Sequence, residues 1–198
     1  MITGTVLADD ILGRGLTPAQ ARSILSEHAG KRELAGHMTE VYNGYGCNMA
    51  VSMSNVRSSG VRFDEALPLY GWLEDVDFSR ALAPSGEILK SPALRGVHLG
   101  AKAGRTSGLR FGYSQIANPI YMWRKGTLTF PRAIRQIGKN ILANIAKVLR
   151  PEPWVDRSGR LRGNAMAILD MFAGRMTPRR SLELSPSPPA SGKTAGSR

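Results

Sequence analysis

The segment PRAIRQIGKNILANIAKVLR, residues 131–150, constrains the fold more than any other stretch. Its only proline stands at the first position, where a helix tolerates one. At about 100° per residue, Ile134, Ile137, Ile141, Ile145 and Val148 share one face, and Arg132, Arg135, Lys139, Lys147 and Arg150 share the opposite one. Such a helix must cover its apolar face. It can do so against the rest of the chain or against a lipid surface, because the pattern is also that of a helix lying in a membrane interface.

The charge around this helix is segregated. The chain of 198 residues carries a net charge of +12. Met1 to Glu87 holds 7 basic and 11 acidic residues, whereas Ile88 to Pro151 holds 12 basic residues and no acid. One half can supply a base or hold a cation, and the other can meet phosphate, nucleic acid or lipid head groups. Aromatics are not interleaved with the basic run as a base-stacking platform requires, which argues against nucleic acid. At 42% hydrophobic the chain can bury a core. Its single cysteine, Cys47, excludes an internal disulfide framework and predicts a small buried side chain in a reducing compartment. No run reaches the roughly 20 apolar residues of a membrane span, and MITGTVLADD lacks the pattern of a signal peptide. The expected location is the cytoplasm, peripheral to the inner face of the membrane if residues 131–150 dock there.

Local signals place the elements. ITGTVL reads as a strand, and Thr17-Pro18 caps a helix running to about Glu27. A Gly-rich turn, NGYGC, leads to a predicted strand over Met49–Met53. EDVDFSRAL reads as a helix stopped by Pro84 and Gly86. EILKS and GVHLG are two further strand candidates. YSQIANPIYMWRKG is helical, with Pro119 kinking it or standing in its first turn. A last helix covers Leu161 to Phe172, and a Pro/Ser/Gly-rich tail from Thr177 predicts disorder.

GWLEDVDF, residues 71–78, is unusual in a basic chain. Glu74, Asp75 and Asp77 crowd against Trp72, Leu73 and Phe78. Carboxylates held against an apolar wall can have tuned pKa values. The other reading is N-terminal capping of the helix, and for Asp77 capping is the expected role.

Taken in order, GYGCNMA, FDEALPLYGWLEDVDF and GVHLGAKAGRTSG resemble the C-terminal half of an inverting family 2 glycosyltransferase of the GT-A fold. The matching residues are Gly46, Asn48 and Ala50, then Phe63, Asp64 and Glu65, then the pair Glu74 and Asp75, then His98. The resemblance covers roughly residues 1–130. It implies an α/β, Rossmann-like partial GT-A domain over 1–128, a helical extension over 129–176 and a disordered tail over 177–198. It also implies a truncated chain, because the nucleotide-binding half and its Asp-x-Asp metal motif would precede Met1. Asp9-Asp10 is a poor substitute for that motif, and a chain without that half is expected to be impaired.

The chemistry implied is transfer of a sugar from a nucleotide-sugar donor to the hydroxyl of a carbohydrate or lipid-linked acceptor. Asp75 is the expected general base, with Glu74 orienting it or bonding the acceptor. Gly44, Gly46 and Asn48 would let the backbone approach the donor, and Lys102 and Arg105 would wrap its phosphates. Tyr70 and Trp72 would form an apolar platform for an acceptor ring, or pack in the core. His98 would serve a divalent metal, Mg or Mn, or the diphosphate; a strand-end histidine is the alternative. Tyr113, Gln115 and Asn118 match a segment near the rim of the family's site. The competing class is a non-catalytic basic module docking on an anionic membrane.

Overall fold

The computed structural model describes residues 1–11, 13–29, 37–101 and 106–184. Among the described residues the architecture is α/β: a small mixed sheet of four strands and six helices. The strands are β1 (Ile2–Asp9), β2 (Thr39–Glu40), β3 (Met49–Ala50) and β4 (Leu89–His98), and their order across the sheet is β2-β4-β1-β3. The central pair, β1 and β4, is parallel, and both outer strands are antiparallel to their neighbours. The helices are α1 (Pro18–Ala29), α2 (Met53–Ser59), α3 (Glu74–Leu82), α4 (Gly108–Lys125), α5 (Phe130–Lys147) and α6 (Arg157–Phe172). Among the described residues, no helix is long and apolar enough to cross a membrane.

Several expectations change in detail. EILKS and GVHLG form one strand, β4, interrupted by a bulge. Ser91 pairs with Gly4 and Arg95 with Thr5, so Pro92, Ala93 and Leu94 loop out. Pro92 has no N–H for the ladder, and Leu94 carbonyl oxygen lies only 2.6 Å from where a Cβ on Gly4 would stand. The strand predicted over Met49–Met53 stops at Ala50, because the Ser52 hydroxyl accepts from Asn55 N–H and starts α2. Pro119 lies in the interior of α4, fully buried, and not in its first turn. Asp156 caps α6, which begins at Arg157, four residues before the predicted start. The expected tail is folded as far as Leu184: a short 3-10 turn over Pro178–Leu182 brings Leu184 into the core. The rest of it lies outside the described residues.

The core is built around α4. Leu109, Tyr113, Ile116, Ala117 and Ile120 pack with Ala167 of α6, Met176 and Leu184, so residues on both sides of the expected 128/129 boundary share one core. Glycines set how close α4 and α6 come. A Cβ on Gly112 would lie 2.1 Å from Arg160 carbonyl oxygen, and one on Gly163 would lie 2.1 Å from Leu109 carbonyl oxygen. α5 joins this pair through amides. The buried Asn144 donates to Gln115 Oε1 (2.9 Å) and Asn164 Oδ1 (3.0 Å), and Asn164 donates to Gly112 carbonyl oxygen (2.7 Å). Arg157, also buried, donates to Asn144 Oδ1 (3.0 Å) and pairs with Glu152 (2.8 Å). The Arg157 hydrogen bond, with that of Lys147, holds the Glu152 carboxyl well below the usual range despite the opposing effect of burial.

This network divides the predicted apolar face of α5. Ile137 and Ile141 face the core, but Ile134 and Ile145 are exposed, because the innermost positions belong to Ala133 and Asn144. Asp77 also departs from expectation. It is no cap: it is buried, and it accepts from Lys125 (2.7 Å) and Thr127, tying α3 to the end of α4.

Gly112→Ala should destabilise the chain by roughly 1–3 kcal/mol or more, since backbone cannot yield as a flexible side chain can. Gly138→Ala on α5, where a Cβ meets nothing within 4 Å, should stabilise it by up to about 1 kcal/mol. Thermal denaturation of the two variants checks this opposition.

Candidate functional site

The loop before α3 positions the acids. Leu69, Gly71 and Leu73 all take positive φ (61°, 59° and 75°). For leucine this left-handed geometry costs about 1–2 kcal/mol per residue. The alternation displays Tyr70 and Trp72 beside the start of α3, and Leu73 at the N-cap supplies no side-chain cap. Glu74 and Asp75 therefore enter the first turn, where the helix dipole favours negative charge. Asp75 Oδ2 accepts from Gly46 N–H (3.1 Å), and its Oδ1 accepts from Val76 N–H (2.8 Å). A Cβ on Gly46 would stand 3.4 Å from Asp75 Cβ and 3.5 Å from Glu74 Oε1, so this turn lies directly against the acid pair.

The sheet delivers a second cluster. Asp9 and His98 end the parallel strands β1 and β4 and are register partners. Asp9 Oδ1 lies 2.9 Å from His98 Nδ1, and the Tyr45 hydroxyl donates to Asp9 Oδ2 (2.9 Å) and lies 3.0 Å from the same ring nitrogen. Burial pushes the Asp9 carboxyl up, but the bonds from His98, Ile11 N–H and Tyr45 outweigh it and hold the group below its ordinary value. Burial, together with the neighbouring Asp9 carboxylate, raises the Tyr45 phenol.

Both clusters open on one cavity of about 630 Å³. Its aromatic wall holds Tyr45, Tyr70, Trp72 and Phe111; Trp72 meets Phe111 edge-on with centroids 5.8 Å apart. Its acidic wall is Glu74 and Asp75. Its far wall holds Gln115 of α4, Gln136 and Asn140 of α5, and Arg160 of α6, whose guanidinium lies 4.6 Å from the Phe111 centroid. Cys47 is exposed and lines the cavity, contrary to the buried role expected of it. Partial burial, together with Asp9 and Asp75, raises its thiol and keeps it protonated.

Of the predicted site residues, the structure gathers Gly46, Tyr70, Trp72, Glu74, Asp75 and His98 around this cavity. Two fall elsewhere. Gly44 is buried: its N–H donates to Ser79, and a Cβ would stand 2.9 Å from Met1 Sδ. Asn48 belongs to the sheet edge, where its side chain accepts from Thr3 (2.8 Å) and its carbonyl from Gly4 N–H. Both are fold residues that place the turn carrying Gly46. Lys102 and Arg105 lie outside the described residues. Gln115 lines the cavity, but Tyr113 and Asn118 are internal, bonded to Asp170 (3.1 Å) and to Trp72 carbonyl oxygen (2.8 Å). Asp64 accepts from Tyr121 and Lys125, a structural pairing. Sequence reasoning missed Tyr45, Asp9, Gln136, Asn140 and Arg160.

Among the described residues, no three His, Cys, Asp or Glu side chains converge on one point. His98 Nδ1 is committed to Asp9 and Tyr45, so its Nε2 is the nitrogen left for a ligand. No protein-family model, curated protein or solved structure matches the chain.

Glu74 has a perturbed carboxyl. Burial, and then repulsion from Asp75, raises its carboxyl above the ordinary 4.5. A raised acid favours the folded state fully below its unfolded value and loses that contribution as pH rises through the folded value. Glu74→Gln should therefore gain stability relative to the parent between pH 4.5 and 7. Melting curves at both pH values check this: the gain in melting temperature must be larger at pH 7 than at pH 4.5.

Proposed function

We propose that the chain is of the glycosyltransferase type and that its cavity takes the acceptor, with Asp75 as the base for inverting sugar transfer. The observation that carries this reading is the pairing state of the acids. The buried acids Asp77 and Asp170 are tied to lysine or arginine, and so is Glu152. Glu74 and Asp75 have no cationic partner among the described residues, yet they stand on a large cavity. Keeping such a pair uncompensated costs stability and is the mark of a working site.

The reaction needs one protein base. As the acceptor oxygen attacks the anomeric carbon, its proton passes to the Asp75 carboxylate. The bond from that carbon to the diphosphate breaks on the opposite face, and the nucleoside diphosphate leaves with the electron pair. The backbone bonds from Gly46 and Val76 use one site on each Asp75 oxygen and leave others for the acceptor hydroxyl. General base catalysis of this kind contributes about 10²–10⁴-fold. Glu74, raised by burial, orients the acceptor through a hydrogen bond. Trp72, Tyr70 and Phe111 present ring faces and edges against which the apolar side of a sugar stacks. Arg160 is the cation of the described cavity wall that stands nearest in kind to a diphosphate partner. Lys102 and Arg105 belong to the same reading.

Incubating the full chain with a panel of nucleotide sugars and sugar or polyprenyl-phosphate acceptors tests it. Asp75→Asn should lower acceptor-dependent transfer by at least about 100-fold while donor binding by calorimetry holds. Transfer that survives Asp75→Asn, or a parent that neither binds nor turns over any donor, would sink the assignment.

A further inference from the structure

Among the described residues nothing covers the outer face of α5, which sets large apolar side chains beside basic ones. Ile134, Leu142 and Ile145 fall within a strip about 80° wide, and all three are exposed, Leu142 at 67%. Leu149, just past the helix end, is 89% exposed. Phe130 continues the strip at the other end and stacks obliquely on the exposed Trp123, with centroids 5.0 Å apart. Arg135 and Lys139 adjoin the strip and have no ion pair among the described residues. Arg132 lies 3.8 Å from the Tyr42 ring centroid.

We infer that this face docks the chain on a bilayer surface bearing anionic head groups. The charge settles the occupant. Residues 88–151 hold no acid, so a second copy placed face to face would oppose cation to cation. The terminal segment SPSPPASGKTAGSR has neither large apolar side chains nor acids, and cannot cover the strip or balance its flanks. A bilayer supplies both needs, an apolar layer under the leucines and phosphates beside the arginines. Trp123 stands where an interfacial aromatic belongs. The helix lies in the interface and does not cross it. Gln136 and Asn140 on the flank of the same helix line the cavity, so docking would hold that cavity close beside the lipid surface. This inference rests on α5 with the adjoining Trp123 and Leu149, and stands whether or not Asp75 transfers sugar.

Vesicle flotation of the full chain, without donor, tests it. The chain should float with phosphatidylcholine–phosphatidylglycerol vesicles, only weakly with phosphatidylcholine alone, and progressively less as salt rises. Arg135→Glu/Lys139→Glu should lower partitioning at least fivefold per site. Leu142→Asp/Leu149→Asp should lower it at least about tenfold, with the single Leu149→Asp as a variant that leaves the packing untouched. Any of these results would overturn the inference: no flotation with anionic vesicles; flotation that both variants retain; or a dimer in sedimentation equilibrium that Leu142→Asp/Leu149→Asp dissolves. Equal affinity for a DNA duplex would do the same by showing a generic polyanion site.

Discussion

The contact on which the rest of the molecule depends is the crossing of α4 and α6. At Gly112 and Gly163 the two backbones approach so closely that a single methyl would overlap a carbonyl oxygen of the other helix. Gly108 makes a similar approach to the Asp156 carbonyl oxygen that opens α6. At this distance the two helices have one relative position, and the amide network from Asn164 through Asn144 to Gln115 fixes α5 against both. The cavity's far wall comes from these three helices. The crossing therefore sets the distance from Arg160 and Gln115 to the acid pair on the opposite side.

Three ways of holding a carboxylate separate structure from chemistry here. Asp77 and Asp170 are buried and paired with lysine or arginine, an arrangement that stabilises only while both partners remain. Asp9 is held by a histidine and a tyrosine, a set that orients the imidazole on the cavity wall. Glu74 and Asp75 are held by backbone N–H groups and by position alone. The strained loop that presents them, with two leucines in left-handed geometry, is consistent with a place where stability yields to display.

Much of this was legible in the sequence. Local signals placed β1, α1, α3 and the bodies of α4, α5 and α6, because caps, proline and hydrophobic period act over a few residues. The acids beside aromatics at 71–78 and the glycine at 46 pointed to the same site. Asp9, Tyr45 and Arg160 were not legible, since each is brought to the cavity by pairing across dozens of residues. Which isoleucines of α5 turn inward was not legible, because the period rule groups them on one face without saying what covers each. A satisfied amide network holds part of the inward side instead. The spacing GLRFG on α4 and GRLRG on α6 was the available signal, a small residue every fourth position on each of two helices.

Glycines at a close helix crossing, amides bonded between helices and aliphatic side chains turned outward form the packing grammar of helices in lipid rather than in water. The α4–α6 unit has all three, with Leu142, Leu149, Leu169 and Phe172 on its outside. Much of its internal cohesion comes from contact geometry and hydrogen bonds rather than from expelling water around its periphery. If the docking inferred above holds, an oily neighbour would meet side chains that already face outward, and the glycine crossing and amide bonds inside would have no reason to rearrange. The cavity wall on the other flank would then keep its distances because contacts between helices, and not the surrounding solvent, set them.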